Sequence, residues 1–118
     1  MLLEKKEITD SDGVVYYESV FDSTSILKTI FFPNKNRLFI SFNRGGTYSY
    51  SNINETLYSE FEAADSQGKF LKQNIEKKQE YPYRKEFTLY ESEVKEIKEI
   101  VVNKKAEINK GLDISGLV

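Results

Sequence analysis

Residues 37–43, Arg-Leu-Phe-Ile-Ser-Phe-Asn, place Leu38, Ile40 and Phe42 at every second position, and Arg44-Gly45-Gly46 follows directly. A period of two suits a strand with one buried side and does not suit a helix, whose apolar positions recur every three or four residues. The glycines supply the positive-φ positions that a hairpin turn needs, so the chain reverses there. Thr47-Tyr48-Ser49-Tyr50 then returns as a strand with both tyrosines on one side. Upstream, Ile26–Phe32 is rich in β-branched and aromatic residues, and Pro33-Asn34-Lys35-Asn36 makes a tight connection. Residues 26–50 are therefore predicted to be a three-stranded antiparallel meander.

Residues 14–21 read as a further strand, and 86–90 as a fifth, short one. Residues 1–13 read as a polar arm ending in the turn signal Ser11-Asp12-Gly13. Asn52 or Asn54 can cap a helix running to about residue 65, with Leu57, Phe61 and Ala64 on one face. Ser66 can cap a second helix whose Phe70, Leu71 and Ile75 point inward. A third runs from Ser92 to about Asn109, where Gly111 is a natural stop. The expected fold is α+β: an antiparallel meander of four to five strands packed by helices, with an added C-terminal helix and an apolar tail over Leu112–Val118. One globular unit is expected, with an arm and strand over 1–22, a central body over 23–85 and the added elements over 86–118. Ile26, Ile30, Leu38, Ile40, Phe42, Leu57, Phe61, Leu71 and Ile75 are the expected core.

A chain of 118 residues suits one domain. It has no cysteine and no histidine, which removes disulfides, thiolate nucleophiles and the commonest general base and metal ligand. A non-enzymatic binding module is expected, with no cofactor and no metal. Asp10-Ser11-Asp12-Gly13 is like the start of a calcium loop, but Val14, Tyr16 and Tyr17 stand where later ligands belong. Gly45-Gly46 lacks the lysine-serine ending of a phosphate loop and is read as a turn. Ser23-Thr24-Ser25 has no base at usable spacing and is read as a side-chain-capped turn. No apolar run reaches membrane-spanning length, and Met1-Leu2-Leu3 gives way at once to charges, so no membrane contact and a cytoplasmic location are expected.

Charge is unevenly spread. Residues 23–85 carry ten basic and six acidic side chains, whereas both ends are net acidic. Lys69, Lys72, Lys77, Lys78, Arg84 and Lys85 cluster around Tyr81 and Tyr83, with Arg37 and Arg44 nearby on the predicted hairpin. Cations that contact phosphates and rings that stack on unpaired bases are what single-stranded nucleic acid requires. The plainer reading of the same residues is a solvated helix face and packing tyrosines. Tyr48 and Tyr50 are read as core rather than as a stacking platform.

Residues 23–83 resemble the KTSC family. Four segments carry the likeness: Ser23-Thr24-Ser25-Ile26, Gly45-Gly46-Thr47-Tyr48-Ser49-Tyr50, Ala63–Phe70 with its Ser66-Gln67-Gly68-Lys69-Phe70, and Tyr81-Pro82-Tyr83. The family is a short bacterial and phage domain, also found at the C-terminus of some lysyl-tRNA synthetases. That company implies RNA binding and implies no catalytic residue. The alternative is a protein-interaction module, phage-encoded and acting on a host or phage protein. It would use Val94, Ile97, Val101, Ile108 and Leu112 of the last helix, whose near-heptad spacing also suits self-association. The bland reading of that seam is packing on the sheet at Leu27, Phe31 and Phe39.

Overall fold

The computed structural model describes the backbone of residues 1–116 and the side chains through Lys110. Six strands form one antiparallel sheet in simple sequence order: β1 Leu2–Thr9, β2 Val15–Phe21, β3 Ile26–Phe32, β4 Arg37–Phe42, β5 Gly46–Tyr50 and β6 Tyr83–Thr88. Two helices, α1 Glu55–Ala63 and α2 Gln67–Asn74, lie between β5 and β6, and α3 Glu91–Gly116 follows β6.

The meander over residues 26–50 stands as read from the alternation. Leu38 pairs with Tyr50 and Ile40 with Tyr48, which brings the buried phases of β4 and β5 to the same face. That first face is covered by α1 and α2. Its core holds Phe21, Ile26, Phe31, Leu38, Ile40, Tyr50, Ile53, Tyr58, Phe61, Leu71 and Ile75. Asn54 caps α1 by accepting a hydrogen bond from the Leu57 amide (2.8 Å), and Ser66 caps α2 by accepting from the Lys69 amide (3.3 Å). Asn52 takes the left-handed conformation instead (φ 63°). Tyr58 stacks on Phe31 at 4.3 Å between centroids. Its hydroxyl donates to Ser19 Oγ (3.3 Å) and is joined to Thr29 Oγ1 (2.9 Å), so the ring is buried without stranding its polar end.

The sheet has six strands rather than four or five. The additional one is β1, within the stretch read as a polar arm. Glu4, Lys5, Lys6 and Glu7 break the apolar alternation that announces a strand, yet charge is what an edge strand tolerates, because it discourages pairing with a further chain. Ser11-Asp12-Gly13 is a turn as expected, and it joins β1 to β2. Asp10 Oδ1 accepts from the amides of Asp12 (2.8 Å) and Val14 (3.0 Å), and Gly13 takes φ 79°. The last strand begins at Tyr83, earlier than the expected residue 86, because Pro82 already holds the chain extended.

The second face carries α3, and only over one end. Ordinary alternation sends Leu2 and Leu3, and likewise Ile26 and Leu27, to opposite faces, and the register shifts at Leu2–Glu4 and Ile26–Lys28 fall just beside them. Leu2 and Ile26 join the first core, whereas Leu3 and Leu27 meet Val20, Leu89, Val94, Ile97 and Val101 under α3. The expected partners of α3 are therefore corrected. Leu27 is one of them, but Phe31 points into the first core and Phe39 lies beyond the helix. Ile30, placed in the predicted core, is on the second face and only half-buried. α3 also runs past Gly111, a position that an otherwise continuous helix tolerates at about 1 kcal/mol relative to alanine.

Candidate functional site

At its start, α3 is fixed by Gly45. This residue has φ 95°, its carbonyl accepts from the Leu89 amide (2.9 Å), and an added Cβ would lie 3.0 Å from Leu89 O and 3.2 Å from Val94. From there the helix passes over Leu27 and Val20 to β1, where Lys104 reaches Glu4 (3.8 Å) and Lys105 reaches Asp22 (3.4 Å). The other end of the second face, near the β1–β2 and β3–β4 turns, belongs to neither core.

That uncovered half is aromatic. Strand pairing sets Phe32 beside Arg37 and Ile30 beside Phe39 across β3 and β4, and Tyr16 of β2 lies next to Phe32, one position beyond the Tyr17–Phe31 pair. Tyr16 stacks on Phe32 at 5.1 Å, and Phe32 meets Phe39 edge-on at 5.8 Å. The Arg37 guanidinium is 5.6 Å from the Phe39 centroid and Lys35 Nζ is 5.8 Å from that of Phe32. All three rings are half-buried: one side is held by neighbours and the rest faces solvent.

Beside the rings lies a polar cluster. Glu86 Oε1 accepts from Ser49 Oγ (2.6 Å), Arg84 Nε (2.6 Å) and Arg37 Nη2 (3.3 Å). Ser49 also accepts from Arg37 Nη2 (3.0 Å). The Ser49 hydrogen bond, followed by the Arg84 contact, holds the Glu86 carboxyl below its ordinary range. Arg37 Nε is buried and has no partner among the described residues.

The cations singled out in the sequence do not form one surface. Lys69 and Lys72 are exposed on α2, with Lys77 and Lys78 in the turn after it. Tyr81 packs against the first core. Tyr83 is 56% exposed and leans on Tyr50 (5.9 Å) and Tyr48 (6.1 Å), and Lys85 pairs with Tyr48 in the ladder. Arg84, one residue away, projects to the opposite face and joins Arg37. Arg44 sits in the β4–β5 turn beside α3. Alternation along β6 therefore splits a cluster that looks continuous in sequence. Tyr50 is buried as expected, and burial pushes its hydroxyl up to about 12. The aromatic triad Tyr16, Phe32 and Phe39 was not singled out as a site. Its available signal was Phe39, an aromatic residue in the outward phase of β4.

On α3, Ile97 is buried and Val94 and Val101 are half-buried against the sheet. Ile108, in the same seam, is 40% exposed, and Val102 and Tyr90 are 64% and 78% exposed. The Leu112 side chain and the Leu112–Val118 docking expectation lie outside the described side chains. An open groove of about 810 Å³ separates α3 from the β4–β5 turn, with Arg44, Leu89, Val94, Lys98 and Val102 on its walls. Among the described residues no group of three or more Asp or Glu side chains is arranged to hold a metal ion, and no helix is long and apolar enough to cross a membrane.

The remaining sequence motifs are scaffold. Gly45 lies in the hairpin turn and Gly46 opens β5. Ser23 Oγ accepts from the amides of Ser25 (3.3 Å) and Ile26 (3.1 Å). Ser25 Oγ would lie 2.7 Å from a Cβ on Gly68, so the serine-rich turn and the Ser66-Gln67-Gly68 segment fit together only with glycine there. Pro82 O accepts from the Ser51 amide (2.9 Å), closing β6 onto β5.

An antiparallel meander with one face packed by a helix pair inserted before its last strand defines a small α+β domain. The chain belongs to the KTSC domain family, whose model matches residues 22–81. It is similar to the crystal structure of a KTSC domain protein from Yersinia pestis, with 25% sequence identity and a TM-score of 0.54 over 71% of this chain and 100% of that one. Comparison with curated proteins finds no match. Phe32, Lys35, Arg37, Phe39 and Ser49 fall within the family segment, whereas Tyr16, Arg84, Glu86 and α3 fall outside it.

Proposed function

We propose that this domain binds single-stranded nucleic acid, RNA foremost, on the uncovered half of the second sheet face. The observation that carries the reading is the Tyr16–Phe32–Phe39 cluster, left open by α3 and edged by Lys35, Arg37 and Arg84. Every base has a π-face, and stacking on an aromatic side chain contributes about 1–3 kcal/mol per base. Open sheets that bind RNA use aromatic residues on adjacent strands in this way. Lys69, Lys72, Lys77 and Lys78 are not on this face and receive no base contact. Titration of a fluorescent single-stranded RNA at low salt tests the reading. Phe39→Ala should weaken binding roughly 5- to 150-fold, the equivalent of one lost stack. Absence of binding by the unaltered chain rejects the reading.

Exposed Val102 and Ile108 on α3 favour a second reading, pairing of α3 with a second copy of the chain. Its acidic first turn, with Glu91 and Glu93, and the later Lys110 would face each other in an antiparallel pair. Sedimentation should then show a dimer that Val102→Glu with Ile108→Glu dissociates. A monomer at all concentrations rejects it.

A further inference from the structure

The contact between Arg37 and Glu86 has a feature that a simple ion pair lacks. Three donors from three strands, Ser49 Oγ, Arg84 Nε and Arg37 Nη2, converge on a single carboxylate oxygen. Next to it is a notch of about 150 Å³ lined by Arg37, Ser49, Ser51, Pro82, Tyr83 and Arg84. The buried Arg37 Nε has no partner among the described residues. Two guanidinium groups and serine hydroxyls around a small opening form the donor set that recognises a phosphate, and arginine does so through paired N–H groups. Arg37 is also the residue beside Phe39, so a phosphate held here would sit next to a base stacked on the rings.

We propose that this notch is a phosphate subsite of the nucleic-acid site, and that Glu86 is its built-in competitor, occupying the oxygen position that a phosphate oxygen takes when ligand arrives. The proposal rests on the nucleic-acid reading above. Of the partners of Glu86, Arg84 is largely exposed, Arg37 is half-buried and Ser49 is buried, so displacement exchanges one anion for another on the same donors and leaves none of them stranded. The phosphate is either an internal diester or a terminal group, and both present the same oxygens to Arg37 and Arg84.

The test is anisotropy titration of the full chain with single-stranded RNA carrying either a 5′-phosphate or a 5′-hydroxyl, across a range of salt. Glu86→Gln keeps an acceptor for Ser49 but removes the charge. It should bind several-fold tighter than the unaltered chain, with a salt dependence steeper by about one phosphate contact. Glu80→Gln removes the same charge from an exposed side chain that does not line the notch and sets the baseline for bulk electrostatics. Arg84→Ala combined with Glu86→Gln should lose the added salt dependence. A gain confined to the 5′-phosphorylated strand assigns a terminal phosphate, and an equal gain assigns the backbone diester. Glu86→Ala provides a second route to the same loss of charge, should the glutamine variant fold poorly. If both Glu86 variants bind no tighter than Glu80→Gln while Phe39→Ala still weakens binding, the subsite is wrong and the stacking face survives. If no variant binds RNA at low salt, both fall together.

Discussion

Both faces of the sheet carry aromatic rings and use them differently. On the first face, Phe21, Phe31, Tyr58 and Phe61 interlock between the strands and α1, with centroids 4.3–6.0 Å apart, and all are buried. On the second, Tyr16, Phe32 and Phe39 make contacts of the same kind, but no helix closes over them. Adjacent residues show the contrast most sharply. Phe31 and Phe32 are neighbours in β3, one in the core and one on the open stripe. The teaching is that ring stacking alone does not mark a core. The helix that covers it does, and α3 covers only half of its face.

The largest expected effect separates those neighbours. Phe31→Ala should destabilise the fold by about 3–5 kcal/mol through loss of buried area and an unfilled cavity. Phe32→Ala should cost about 1 kcal/mol, the order of one aromatic pair contact. Chemical denaturation of both variants checks the difference, and equal losses would mean that the second face is packed after all. Binding should show the reverse order, with Phe32→Ala losing about 1–3 kcal/mol of affinity for single-stranded RNA in the titration described above.

A smaller effect is expected at Tyr58. Removing its hydroxyl in Tyr58→Phe leaves Ser19 and Thr29 without that partner inside the core and should cost about 1–2 kcal/mol. The matching Tyr16→Phe change on the open face should be close to neutral in the same denaturation experiment.

Titration sharpens the comparison further. Burial raises the Tyr50 hydroxyl to about 12 and also pushes up that of Tyr58. A raised native value favours the protonated form, so this contribution is fully present below the ordinary tyrosine range near 10 and is lost as pH rises through the native value. Ultraviolet difference spectra should show Tyr50 and Tyr58 ionising late, together with alkaline unfolding. Glu86 runs the opposite way. Its native value is depressed, so its contribution is present above the ordinary carboxylate range and is lost as pH falls through the lower native value. The acid limb of a stability-versus-pH curve should be shallower in Glu86→Gln.

Much of the fold was legible because its signals are local. Alternation at Leu38, Ile40 and Phe42, the Gly45-Gly46 turn, and the Asn54 and Ser66 caps each work through residues a few positions apart. β1 was not legible, because an edge strand is held by its ladder to β2 and not by an apolar rhythm of its own. The site was less legible than the fold. Lysines and tyrosines close in sequence around residues 69–85 look like one patch, but alternation sends Arg84 to one face and Tyr83 and Lys85 to the other. Conversely, Tyr16, Phe32 and Phe39 lie far apart in sequence, and only the register of three strands makes them neighbours. Which half of the second face α3 would leave open depends on the docking of Leu89 and Val94 against Gly45, a tertiary contact with no local signature.

The most direct test of the open face is a nuclear magnetic resonance titration that follows the aromatic side chains during addition of single-stranded RNA. The largest shifts should appear at Phe32, Phe39 and Tyr16, with Arg37 Nε moving alongside them. Shifts centred instead on Lys69, Lys72, Lys77 and Lys78, with the three rings unmoved, would contradict the account.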